Sequence, residues 1–248
     1  MSMLSRIYSV LGRFDMEIHR KVRDKYPIEL TNFERDCLSK AKPITMTPAQ
    51  RFSAIALSMR YLRENRISGD VVECGVWAGG SIGAAALLGA ADTEPRHYWL
   101  FDTFEGMTRP SINDTQEARK TYEKTRNEST EGSSWCEVNE KQVRDNLVAI
   151  GVDLDLCTFI TGDVLNTLLS SVLPKKIALL RLDTDWYEST RVELEILFPR
   201  LVSGGILIID DYGHWDGARK AVDEYFMKRE IKPLLIPIDY AGRICIKA

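Results

Sequence analysis

Histidine is scarce in this chain, with three in 248 residues, and cysteine occurs five times, as Cys37, Cys74, Cys136, Cys157 and Cys245. The cysteines are odd in number, widely scattered and never spaced C-x-x-C. That pattern excludes a disulfide framework and a structural zinc site, and it predicts reduced thiols in a cytoplasmic protein. A long apolar run is also missing, so no membrane span is expected. Neither sign of charge dominates: 33 basic against 36 acidic residues leave a net charge of −3, which gives no bulk electrostatic case for nucleic acid. The opening stretch "MSMLSRIYSVLGRFDMEIHRKVRDKY" has no continuous apolar segment and no small-residue cleavage site, so it does not read as a signal peptide. It reads as a mildly basic amphipathic helix packed on the domain or on a partner subunit, with a membrane surface as the lesser alternative.

The apolar share is 44%, ordinary for a chain with a proper core. Residues 1 to about 66 carry apolar positions at three- and four-residue spacing and predict a helical extension, with residues 67–248 forming the main domain. There the pattern changes. "VVECGV" (71–76), "HYWLFD" (97–102), "CTFITGD" (157–163), "IALLRLD" (177–183) and "GGILIIDD" (204–211) are near-continuous apolar runs. Helical patterns over 80–90, 138–150, 164–172, 187–200 and 216–229 separate or follow them. Such alternation predicts an α/β fold, a doubly wound, mostly parallel sheet covered on both faces. "LLIPID" and "GRICIKA", joined only by Tyr240 and Ala241, are too close for a crossover and predict a closing antiparallel hairpin. Residues 103–137 are polar, carry no strand pattern and follow the second strand; they predict a lid over the ligand edge, with a short helix around 116–126, or else a disordered excursion.

Four of the strands end in aspartate: Asp102, Asp163, Asp183 and Asp210. Ligands of open α/β sheets sit at the carboxyl ends of the strands, so this edge is built for something cationic or rich in hydroxyls. "ECGVWAGGS" (73–81) is a strand-to-helix turn whose Gly75, Gly79 and Gly80 leave room for a ligand against the backbone. It is not the G-x-G-x-x-G that seats a pyrophosphate, which counts against a nicotinamide oxidoreductase; it suits a carboxylate-bearing ligand without phosphate, such as S-adenosylmethionine. Asp102 is placed to accept from ribose hydroxyls, and Asp163 either from the adenine amine or from a helix N-terminus. In "RLDTDWYEST" and the adjacent Asp210–Asp211 pair, three or four carboxylates converge, which demands a counter-cation. With only oxygen donors and a lone His214 nearby, a hard ion is expected, Mg²⁺ before Mn²⁺ or Ca²⁺. A metal-dependent Asp-x-Asp glycosyltransferase, an Asp-x-Asp phosphatase and a non-catalytic donor-binding protein are the alternative readings.

Together, "VVECGVWAGGS", "FDTFEGM", "LRLDTDWYEST" and "GGILIIDDYGHWDGARKAVDEYF" resemble the macrocin O-methyltransferase family, over roughly residues 45–248 and including "TMTPAQRFSAIA" (45–56). The resemblance implies a class I methyltransferase fold, S-adenosylmethionine and Mg²⁺ as cofactors, and a sugar-containing small molecule as acceptor. It implies Asp183, Asp210 and Asp211 as metal ligands and Asp185 as general base. Glu73, Gly75, Trp77, Gly79 and Ser81 are implied to line the donor pocket, with Asp102 on the ribose, Asp163 near the adenine, and Met46, Thr47 and Ser134 also touching the donor. Thr184 and Trp186 depart from the family's frequent glycine and leucine, and both bear on the acceptor. The first forty-odd residues match poorly and are expected to build a homodimer contact or shape the acceptor pocket.

Overall fold

The computed structural model describes residues 26–128, 132–170 and 172–248. The expected N-terminal amphipathic helix over 1–26 lies almost wholly outside the described residues. Seven strands form one sheet in the order β3-β2-β1-β4-β5-β7-β6. They are β1 (Asp70–Cys74), β2 (Tyr98–Asp102), β3 (Cys157–Thr161), β4 (Ile177–Leu182), β5 (Leu201–Ile209), β6 (Ile236–Pro237) and β7 (Arg243–Ile246). The first five pair in parallel, and β7 runs antiparallel to both β5 and β6. This is the expected doubly wound sheet with its closing hairpin.

The helices are α1 (Asn32–Ala41), α2 (Ala49–Glu64), α3 (Gly80–Gly89), α4 (Gln116–Thr125), α5 (Glu140–Ile150), α6 (Val164–Ser170), α7 (Tyr187–Ile196) and α8 (Asp216–Lys228). Alternation along the central strands divides the core in two. Val71, Leu179 and Ile206 face Phe52, Met59, Leu88 and Leu147 of α2, α3 and α5. Their neighbours Val72, Leu180 and Leu207 face Leu168, Leu194, Val222 and Phe226 of α6, α7 and α8. Successive residues of a strand point to opposite faces, so strands apolar throughout must be covered twice. The segment 103–137 holds α4 and folds back on itself: Ser133 N–H donates to the Glu105 carbonyl at 3.0 Å and Met107 N–H to that of Trp135 at 3.0 Å.

The N-terminal helices are tied on by charge. Thr31 and Glu34 form a capping box at the start of α1. Glu34 also accepts Arg60 Nε–H of α2 at 2.7 Å. That hydrogen bond holds the Glu34 carboxyl down at about 2, against a usual 4.5. Its stabilisation is therefore present above about pH 4.5 and is lost as pH falls towards 2. Glu34→Gln is expected to cost about 1.5–3 kcal/mol at neutral pH, the range for hydrogen bonds to charged groups, and to flatten stability in that acid window. Urea unfolding at a series of pH values checks both; equal losses at pH 7 and at the acid end would remove the ion pair as the cause.

Candidate active site

Three strand tips meet at the carboxyl edge. Gly75 ends β1 with φ +83°, and a Cβ there would lie 2.0 Å from the Asp183 carbonyl oxygen. Only glycine lets the β1–α3 turn pass so close to the tip of β4. Asp102 ties the next loop on. Its Oδ2 accepts the Val76 and Trp77 N–H groups at 2.6 and 3.0 Å, and its Oδ1 accepts Phe104 N–H at 2.8 Å. Asp163 Oδ1 accepts Leu165 N–H at 2.9 Å, opening α6.

At the tips of β4 and β5, one oxygen from each of Asp183, Asp185 and Asp211 lies within 4.8 Å of the others. Asp211 Oδ2 is buried and has no hydrogen-bond partner. Burial pushes the Asp185 carboxyl up to about 7, against a hydrogen bond with Asp211 that pulls it down. Burial likewise lifts Asp211 and Asp183 well above the carboxylate range, and the crowding of their own negative charges adds to it. An unpartnered buried oxygen within three crowded carboxylates, with no nitrogen or sulfur donor in the group, fits a hard divalent cation.

Asp210, expected as a ligand, is turned elsewhere. Its Oδ1 accepts Arg181 Nη2–H at 2.6 Å, and its Oδ2 pairs with Arg51 Nη1. Asp210 borders the same cavity as Asp211, but both of its oxygens are already held by guanidiniums. In the cluster, Asp185 stands where Asp210 was expected. Arg181, only 4% exposed, bonds Glu73 Oε1 at 2.5 Å and lies 2.7 Å from Asp183 Oδ2. Arg51, on α2, continues to Asp239 at 2.9 Å. These two guanidiniums supply part of the positive charge that the aspartates call for, and neither was singled out from the sequence. The signal was there for Arg181: a lone arginine inside the apolar run "IALLRLD".

The other expected donor residues divide. Met46, Thr47, Gly75, Trp77, Asp102, Asp183, Asp185, Asp210 and Asp211 line a cavity of about 360 Å³. Gly75, Asp102 and Asp183 also border a small space of about 60 Å³ that reaches Asp163. Asp163 in turn borders a third space of about 950 Å³ beneath α4. Glu73 lines none of these; it is buried below them, accepting Ile82 N–H at 3.0 Å as well as Arg181. Gly79 and Gly80 shape the start of α3, where a Cβ on Gly80 would meet the Ile44 carbonyl oxygen at 2.5 Å. Ser81 Oγ lies 3.2 Å from Thr47 Oγ1, inside the protein. Ser134 lies exposed with its hydroxyl on the Thr125 carbonyl, outside the three cavities. Sequence reading passed over a cluster of tryptophans. Trp135 from the 103–137 segment, Trp186 after β4 and Trp215 after β5 stand with ring centroids 5.3–6.2 Å apart, and Trp135 and Trp215 face the carboxylate cavity.

A seven-stranded sheet of this order, with its cavities at the carboxyl edge, is the class I methyltransferase architecture, and solved O-methyltransferases share it. The structure of the O-methyltransferase NovP superposes with a TM-score of 0.74 at 29% identity, over 93% of this chain and 94% of that one. A calicheamicin methyltransferase, at 18% identity and a TM-score of 0.59 over 88% and 94%, shares the fold. The macrocin-O-methyltransferase (TylF) family model matches residues 16–246, and the chain belongs to that family; it is an O-methyltransferase. The match starts well before residue 45, so it covers most of the N-terminal segment that sequence reading had left outside. Demethyldecarbamoylnovobiocin O-methyltransferase of Streptomyces niveus is 34% identical over 220 residues, 88% of this chain and 80% of its own. A 4'-O-methyltransferase of Streptomyces olivaceus acting on a dimethoxyrhamnosyl tetracenomycin C is 35% identical over 199 residues, 80% and 73% of the two chains. The glycosyltransferase, phosphatase and oxidoreductase readings fall away with this membership.

Proposed function

We propose that this enzyme transfers a methyl group from S-adenosylmethionine to a hydroxyl of a sugar carried by a natural product, with a divalent cation held by Asp183, Asp185 and Asp211. The observation that carries the reading is the carboxylate cluster with its unpartnered Asp211 oxygen, set in one cavity with Gly75 and Asp102. The names of the relatives supply the acceptor class. When bound, a cation of this kind supplies positive charge that lowers the pKa of the acceptor's hydroxyl.

The chain's own residues do the rest. The Gly75 turn and the space towards Asp163 take the adenosyl group, and the carboxylates take the acceptor side. Asp185, at the edge of the cation site, accepts the hydroxyl proton. The hydroxyl oxygen forms a bond to the methyl carbon as the carbon–sulfur bond breaks, and the sulfonium leaves as a neutral thioether. Holding donor and acceptor in line contributes much of the rate. Trp135 brings the lid against the acceptor space and keeps water out. The same reading takes the protein as a cytoplasmic homo-oligomer. An apolar groove of about 530 Å³ between α2 and the hairpin, with Leu57, Ile236 and Ile246 exposed, supports self-association.

Calorimetry with S-adenosylhomocysteine and methyl transfer to a panel of glycosides, with MgCl₂ or with chelator, test the proposal. We expect micromolar donor-product binding and transfer that the chelator abolishes. Tight binding of a nucleotide sugar with none of S-adenosylhomocysteine would overturn it.

A further inference from the structure

Asp185 stands in a backbone conformation that asks for a brace. Its φ is +69°, rare for a residue with a Cβ, and Trp186 N–H donates to the Thr184 carbonyl at 2.8 Å. The three residues therefore close a tight γ-turn with Asp185 at its apex, a strained form that persists only where surroundings over-determine it. Ser189 Oγ–H reaches the Trp186 carbonyl at 3.1 Å. From the lid, the Thr108 carbonyl accepts Trp186 Nε1–H at 3.0 Å.

The remaining contact is the informative one. Thr184 Oγ1–H donates to Glu193 Oε1 at 2.9 Å. Glu193 lies on α7 with no exposed surface, and its Oε2 has no hydrogen-bond partner. A carboxyl in the middle of a buried helix face, half satisfied, lowers stability relative to a leucine of similar volume. Nothing in the reaction touches it. The carboxyl also meets the Cys74 thiol at the end of β1, and its hydrogen bond to Thr184 leads to the turn that carries Asp185.

We propose that Glu193 is a positioning residue for methyl transfer: through the Thr184 hydroxyl it holds the γ-turn and so fixes Asp185 against Asp183 and Asp211. This rests on the cation site proposed above. Burial lifts the Glu193 carboxyl to about 8, so it is neutral at pH 7 and glutamine is its close mimic.

The probe is Mn²⁺, titrated by electron paramagnetic resonance into the full-length protein saturated with S-adenosylhomocysteine, with thermal melts beside it. Glu193→Leu and Thr184→Val are each expected to weaken Mn²⁺ binding about tenfold, and Glu193→Leu, at a position that borders none of the three cavities, to leave S-adenosylhomocysteine affinity unchanged. Glu193→Gln and Thr184→Ser are expected to bind as wild type, and a double Glu193→Leu, Thr184→Val variant no worse than either single one. Where Glu193→Leu fails to fold, the Thr184 pair decides. Folded Glu193→Leu or Thr184→Val with wild-type Mn²⁺ affinity overturns the proposal while leaving the cation site standing. A wild-type protein that binds no Mn²⁺ overturns the cation site and this inference with it.

Discussion

Replacing Arg181 by methionine is expected to cost about 3–5 kcal/mol of stability at pH 7, the loss seen when one partner of a buried ion pair is removed. The side chain is nearly inaccessible, and its guanidinium serves Glu73, Asp183 and Asp210 together. Methionine fills comparable space and returns no charge. The three carboxylates are then left to one another and to Arg51, with burial already lifting the pKa of Glu73 and Asp183. Protonation relieves them, so the loss should shrink as pH is lowered from 7 towards 5. Urea unfolding at both values is the measurement. A loss below about 1 kcal/mol at pH 7, the scale of an exposed pair, would mean that solvent rather than Arg181 neutralises these groups.

The second large effect is on chemistry. Asp185→Asn keeps the shape of the side chain and removes its ability to take a proton. Methyl transfer should fall by about 10²–10⁴, the usual share of a positioned general base. S-adenosylhomocysteine affinity should hold, because the proposed donor space lies towards Gly75 and Asp163. The fall should appear in kcat, measured with whichever glycoside of the panel is methylated best. Transfer within threefold of wild type would assign the proton to another acceptor.

The sheet was legible because its strands are apolar on both faces; Val71 and Val72, or Leu179 and Leu180, cannot both be buried unless helices cover each side. The aspartates were legible as a group for the same reason, since charge at the end of an apolar strand has to sit at the sheet's edge. Their sorting was not. Which carboxylates share a partner depends on side-chain direction at the strand tips and on Arg51, which comes from α2, 159 positions from Asp210 in the chain. No local pattern encodes that pairing. The side-chain direction of Glu73 was hidden for a related reason: its neighbourhood reads as a ligand turn, while its carboxylate is turned inward to Arg181. Residues 103–137 read as a lid, and α4 was visible in them, while the backbone pairing that folds them over comes from contacts between Glu105 and Ser133 that spacing alone does not show.

Three of the chain's five tryptophans form one cluster, two of its pairs edge-to-face and one tilted, drawn from the 103–137 segment, the β4–α7 turn and the β5–α8 loop. Indoles this close couple optically, so the near-ultraviolet circular dichroism of the protein should be dominated by a signal from that trio. Any rearrangement of the lid that withdraws Trp135 would change its sign or size. The enzyme thus carries its own spectroscopic gauge of the acceptor side, readable without label or substrate analogue.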